Sequence, residues 1–396
     1  MNATLRALAP LAAYQFCYFA FVGILSPYLP LYLDSLGWSA AAIATLMVVM
    51  QGARVVAPTL WSLWAERHFA RMRHLVQWAP AAAALGFLPF YISHEPPVVL
   101  VAVGLAAFFW SAALPLFEAL TLAALGPAIH RYPQVRLWGS LGFIVAVVGM
   151  GAWLERAPLQ TVRDALLLSL LVLWGVGQTL PLPVDAEPIQ AAPEEEKRWR
   201  WWREPGVVPF FLATMAMSVA HAVLYTFLSL HLTLLGYGKV AIGALWALGV
   251  IAEIGLFLVL PRLTLRFGFW PLFLAAFAAA AVRFVLLGWL AESLWVVIMA
   301  QVMHALTFGL YHGSAVQLIN GWFGQRAPAL GQALYSSLSF GLGGMVGSAL
   351  SGFLWEEAGP AWAFTGAAIV AAMGLGLASW SSLVASQCAR NASPVE

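Results

Sequence analysis

Tyr32-Leu33-Asp34-Ser35-Leu36-Gly37-Trp38, followed by Ala42-Ile43 and Leu46, returns later as His231-Leu232-Thr233-Leu234-Leu235-Gly236-Tyr237, followed by Ala241-Ile242 and Leu245. The offset is 199 residues in a chain of 396. The same offset carries Ala53 to Ala252, Arg54 to Glu253 and Arg67 to Arg266. A second pair, Leu137-Trp138-Gly139-Ser140-Leu141-Gly142-Phe143 and Leu334-Tyr335-Ser336-Ser337-Leu338-Ser339-Phe340, lies at an offset of 197. A shared offset near half the chain length reads as a duplication.

Composition makes lipid the solvent for this chain. Hydrophobic residues are 62% and charged residues 9%, with mean hydropathy +0.85. Soluble domains carry about 25% charged residues, and so apolar a surface would aggregate in water. The net charge of +2 points to no nucleic-acid partner. Cys17 and Cys388 lie far apart and give neither a disulfide framework nor a metal motif.

A span needs roughly 20 apolar residues. Twelve such stretches are legible, near 9–33, 40–64, 74–93, 97–125, 137–154, 164–181, 207–235, 240–260, 269–290, 294–320, 329–355 and 361–385. They should be helices, because an open sheet cannot satisfy its backbone in hydrocarbon. The runs also lack the alternation of barrel strands. The expected fold class is an all-α membrane protein of twelve transmembrane helices in two pseudo-symmetric six-helix bundles. The expected domains are 1–181, a cytoplasmic linker 182–206, and 207–396 with a short cytoplasmic tail. Repeated halves of this kind place a solute site between them near the bilayer midplane.

Twelve spans put both termini on one side. The loops of that side hold Arg6, Arg67, Arg71, Arg73, Arg131, Arg136, Lys197, Arg198, Arg200, Arg203, Arg262, Arg266, Arg326 and Arg390, which is 14 of 19 basic residues. The opposite side holds Arg156, Arg163 and Lys239. Lys and Arg gather on the cytoplasmic side. Both termini are therefore expected there, in a multi-pass inner membrane protein of bacterial type. The linker carries Pro183, Pro188, Pro193, the run Glu194-Glu195-Glu196-Lys197-Arg198, and Trp199, Trp201 and Trp202. It reads as a flexible connection with a tryptophan anchor, or alternatively as a segment lying on lipid headgroups.

Four ionisable residues, Arg54, Glu118, Glu253 and Arg283, lie well inside spans. Each costs roughly 2.5–3.5 kcal/mol at the bilayer centre on insertion scales. Their charges sum to zero, so two ion pairs bracing helices is one reading. A solute and proton pathway is the other, because intramembrane charges line such paths. Glu253 and Glu118 are the candidate proton carriers, Glu253 slightly preferred for its repeat relation to Arg54. Span seven presents Thr214, Ser218, His221 and Tyr225 within one arc, at about 100° per residue, and Ser229 extends the stripe. On span ten the same geometry puts His304 and Tyr311 on one face, with His312 off it. Histidines here serve either as interhelical hydrogen bonders or as part of the site. Tyr14, Tyr18, Phe21, Tyr28 and Tyr32 recur on span one, as packing or as a stacking surface for a ring. Ser339, Gly343, Gly347 and Ser351 on span eleven allow close helix crossing.

These features resemble the major facilitator superfamily: the halves, the loop Glu66-Arg67 … Arg71-Met72-Arg73, and the long central loop. Val135-Arg136-Leu137-Trp138-Gly139-Ser140, Val250-Ile251-Ala252-Glu253 and Gln301-Val302-Met303-His304 resemble its phenylpropionate permease branch, near the lactose-permease and nucleoside proton symporters. The resemblance implies proton-driven uptake and a monomer. It also implies an acid on span four, an acid on span eight, an arginine on span nine and a histidine on span ten. Glu118, Glu253, Arg283 and His304 or His312 occupy those spans. Two departures stand out. The loop motif is degenerate, as Trp64-Ala65-Glu66-Arg67-His68-Phe69. Thr307 and Ala315 stand where an acid would follow His304 or His312.

The expected function is a secondary active transporter, not an enzyme: proton-coupled symport of a small organic solute such as an aromatic carboxylate, by alternating access. Glu253, Glu118, His304 and His312 would couple protons. Arg54, Arg283, His221, Tyr225, Tyr14, Tyr18 and Tyr311 would bind the solute. No cofactor or metal is expected, the proton gradient being the driving force; the partners are the solute, protons and lipid. A sugar or nucleoside proton symporter is the first alternative. A proton-coupled efflux antiporter is the second, disfavoured because Gly139–Gly151 lacks the proline that a drug antiporter's fifth span carries.

Overall fold

The computed structural model describes residues 3–67, 72–180, 200–324 and 326–392. The charged run Glu194–Arg198, most of the linker, and the loop residues 68–71 lie outside them, as do the side chains of Arg6, Arg67 and Arg390. The described residues are helical, with no strand. In chain order the helices are α1 (Ala3–Ser35), α2 (Ala40–Arg67), α3 (Met72–Phe87), α4 (Pro96–Leu125), α5 (Tyr132–Leu154), α6 (Thr161–Gly177), α7 (Val207–Leu234), α8 (Lys239–Phe267) and α9 (Phe269–Trp289). The last three are α10 (Leu294–Phe323), α11 (Leu330–Ala358) and α12 (Pro360–Ala392).

Ten of these are long and apolar enough to cross a membrane. The other two expected spans are shorter as α-helix: α3 has 16 residues and α6 has 17. Past Phe87 the chain tightens into a 3₁₀ turn at Leu88–Tyr91, where Pro89 has no N–H to continue the α pattern.

Contacts divide the chain into two units. One comprises 1–190 with 225–247; the other comprises 191–224 with 248–396. In the first, α1 packs on α5 and α6, and α4 packs on α2 and α3. Tight crossings rest on glycine. A Cβ on Gly142 would strike the Phe16 carbonyl, and one on Gly23 would lie 2.7 Å from the Phe143 carbonyl. The end of α7 and the start of α8 belong to this unit. There the Trp246 indole donates to Ser229 at 3.0 Å, and Glu155 accepts from the Val240 amide at 3.0 Å.

In the second unit α9 packs against α10 and α12, and α11 against α12. The small-residue stripe of α11 crosses α7 closely. A Cβ on Gly343 would lie 2.9 Å from the Met215 carbonyl, and one on Gly347 would strike the Val219 carbonyl. Met215 is the counterpart of Phe16 at the 199-residue offset. The duplication thus shows within each unit, as a glycine-lined crossing against corresponding backbone.

Neither α10 nor α11 is a continuous α-helix. α10 widens into a π-helical turn at Ala305–Leu310, and α11 does so at Tyr335–Gly343. Such turns close i→i+5 and concentrate at functional sites.

Candidate functional site

The second unit gathers a polar cluster around one arginine. Arg283, on α9, is 1% exposed. Its Nη1 donates to His304 Nδ1 at 3.1 Å and to Thr307 Oγ1 at 2.9 Å. Its Nη2 donates to Gln301 Oε1 at 3.2 Å. Hydrogen bonds with a charged partner contribute about 1.5–3 kcal/mol each, which offsets part of the cost of burying the guanidinium. Gln301, His304 and Thr307 come from successive turns of α10, so one face of one helix supplies all three acceptors.

Hydrogen-bond logic fixes the protons here. A guanidinium has only donors, so His304 Nδ1 must accept and a neutral ring carries its proton on Nε2. That nitrogen lies 3.9 Å from Glu253 Oε2, on α8. His304 therefore stands between an acid and an arginine. On the other side, Thr307 accepts from Arg283 and donates to His221 Nε2 at 3.2 Å. His221 Nδ1 donates in turn to the Met217 carbonyl at 2.9 Å. The cluster can hold a proton on Glu253 while Arg283 keeps the ring in place; charging His304 would require Nδ1 to let go of Arg283.

The π turn corrects the facing expected on span ten. His304, Phe308 and His312 stack as a ladder, with ring centroids 5.4 and 6.0 Å apart and planes within 6° and 7°. Tyr311 points elsewhere: it donates to the Thr214 carbonyl at 3.1 Å and stacks on Phe273. An α-helix would have put His304 with Tyr311. A turn closed i→i+5 spends more residues per revolution and brings positions four and eight into line. His312 Nδ1, two residues past the π turn of α10, meets the hydroxyl of Tyr335, the first residue of the π turn of α11, at 3.1 Å.

The first unit holds the remaining sequence candidates. Arg54, on α2, lies with its guanidinium 5.3 Å from the centre of the Trp110 ring, on α4. Trp110 stacks on Tyr18 of α1, centroids 5.0 Å apart and planes at 12°. Glu118 accepts from the Tyr132 hydroxyl at 3.3 Å. Tyr14 packs against Phe117 and donates to the Val76 carbonyl at 3.2 Å. Tyr225 lies against Trp246. Four of the candidates, His221, Glu253, Arg283 and His304, thus form one cluster; Tyr18 and Arg54 meet on Trp110, and Glu118 is held by Tyr132.

Sequence reasoning missed Thr307, Gln301, Trp110 and Tyr132 as partners. For the first two a signal existed, since they flank His304 at three residues on either side. Trp110 is one of 19 tryptophans, and nothing in the sequence singles it out.

A model of the MFS_1 like family matches residues 8–366. The chain is 28% identical to a protein named probable 3-phenylpropionic acid transporter, from Escherichia coli (strain K12), over 88% of this chain and 91% of that one. It is 27% identical to a maltose permease of Geobacillus stearothermophilus, over 87% of this chain and 86% of the other. The crystal structure of the nucleoside transporter NupG superposes with a TM-score of 0.79 at 18% identity, covering 97% of this chain and 99% of that one. A bacterial homologue of the iron transporter ferroportin gives 0.71 at 13% identity, covering 96% and 100%.

Proposed function

The chain belongs to the MFS_1 like family of multi-pass membrane transporters, and from that premise we propose that it is a proton-coupled symporter importing a small organic acid. The observation that carries this is the Glu253–His304–Arg283 cluster. An acid stands 3.9 Å from a histidine whose other nitrogen is held by a buried guanidinium. Glu253 and His304 form the proton-carrying pair, with Glu118 and His312 as secondary candidates. Twelve spans in two six-helix bundles would alternate access across the inner membrane, with both termini cytoplasmic, as a monomer driven by the proton gradient without a cofactor.

The relative named for 3-phenylpropionic acid supports an aromatic carboxylate as solute. The maltose permease favours a second reading, a sugar symporter with the same proton machinery. Uptake of radiolabelled 3-phenylpropionate, with and without a protonophore and with competing sugars and nucleosides, separates them. Protonophore-sensitive uptake blocked only by aromatic acids is expected. Block by sugars or nucleosides moves the solute class, and uptake indifferent to the protonophore removes the coupling.

A further inference from the structure

Of the two arginines inside spans, Arg283 is engaged. Its two terminal nitrogens serve His304, Thr307 and Gln301, and it is 1% exposed. Arg54 is in the opposite condition. Its side chain is exposed. Its Nη1 donates to Gln51 Oε1 at 3.2 Å, and its guanidinium lies over Trp110. Among the described residues no carboxylate pairs with it. The other acid inside a span of this unit, Glu118, accepts from the Tyr132 hydroxyl at 3.3 Å.

A second observation points the same way. Trp110 is 2% exposed, and its indole Nε1 is buried with no acceptor among the described residues. Buried donors in native proteins are nearly always paired. Tyr18 stacked on the indole and the guanidinium over the ring hold that donor in place. An unspent cation and an unspent N–H on one ring system together call for an anion with at least two acceptor oxygens.

We propose that Arg54 and Trp110, with Tyr18 holding the indole, form the subsite for the carboxylate of the transported solute. Arg54 supplies the charge and Trp110 Nε1–H the second hydrogen bond, whereas Arg283 is a positioning residue for His304 and does not bind solute. The inference rests on the transporter reading and chooses the acid over the sugar within it.

The test uses the full chain in lipid nanodiscs. Thermal-shift titrations compare three acids with their neutral amides: benzoate and benzamide, phenylacetate and phenylacetamide, 3-phenylpropionate and 3-phenylpropionamide. At least one acid should stabilise the protein at concentrations about tenfold below its amide, the worth of one charge-assisted bond. Arg54→Gln should abolish that preference, and Arg54→Lys should keep part of it. Trp110→Phe preserves the ring stack and should weaken the acid about tenfold. A wild-type protein that does not distinguish acids from amides overturns the proposal, as does an undiminished preference in Arg54→Gln. Acid preference lost with Arg54, alongside uptake that ignores the protonophore, would keep the subsite and remove proton coupling instead.

Discussion

At the scale of single residues, His304 has one nitrogen committed and one in play. Arg283 occupies Nδ1, so the proton of the neutral ring sits on the nitrogen facing Glu253. Glu253→Gln keeps the size of the side chain but cannot release a proton. Accumulation of solute should fall to the level of protonophore-treated cells, while exchange of internal for external solute persists. Counterflow measured beside net uptake checks this; loss of both together would mean the residue binds solute or holds the fold. Thr307→Val should leave His221 Nε2 without its donor and Arg283 with one acceptor fewer. The expected cost is about 1–3 kcal/mol, read as a lowered melting temperature in detergent. The four intramembrane charges were legible, because each breaks a long apolar run. Their partners were not, since pairing depends on how helices are rotated, and apolar sequence constrains rotation weakly. Opposite formal charges suggested two ion pairs. Arg283 donates to acceptors on α10, with Glu253 on the far side of the His304 ring, and Arg54 lies on an indole.

At the scale of elements, the glycine-lined crossings make sharp expectations. Gly347→Val drives side-chain atoms into the Val219 carbonyl, and Gly142→Val into that of Phe16. Each should destabilise by about 1–3 kcal/mol or more. Gly149→Ala is the control, for nothing lies within 4 Å of its added Cβ. Equal melting temperatures for all three would contradict the packing. The stripe on α11 was visible in sequence as small residues at four-residue spacing, because close helix approach has that signature. The π turns had none. Ala305–Leu310 reads as ordinary apolar helix, and the extra residue per turn shows only in three dimensions. That single local change moved Tyr311 away from His304 and brought in His312.

At the scale of the whole molecule, composition and the 199-residue offset carried most of the reading. Low charge left lipid as the only suitable solvent, and long apolar runs left helices as the only structure. The offset reappears physically in the Phe16 and Met215 carbonyls, each crossed by a glycine. Span limits were less legible: α5 begins at Tyr132, before the expected 137, because Pro133 suits a helix's first turn. The Lys and Arg distribution predicts cytoplasmic termini. A C-terminal fluorescent-protein fusion should glow and a C-terminal alkaline phosphatase fusion should be inactive. The reverse pattern would invert the topology.

Proton movement itself tests the central claim most directly. In lightly buffered, de-energised cells expressing the protein, addition of 3-phenylpropionate should make the medium transiently alkaline as protons enter with the solute. The Glu253→Gln variant should give no such change. Uptake of labelled solute with no alkalinisation in the wild type, or an undiminished signal in Glu253→Gln, would contradict proton symport through this pair.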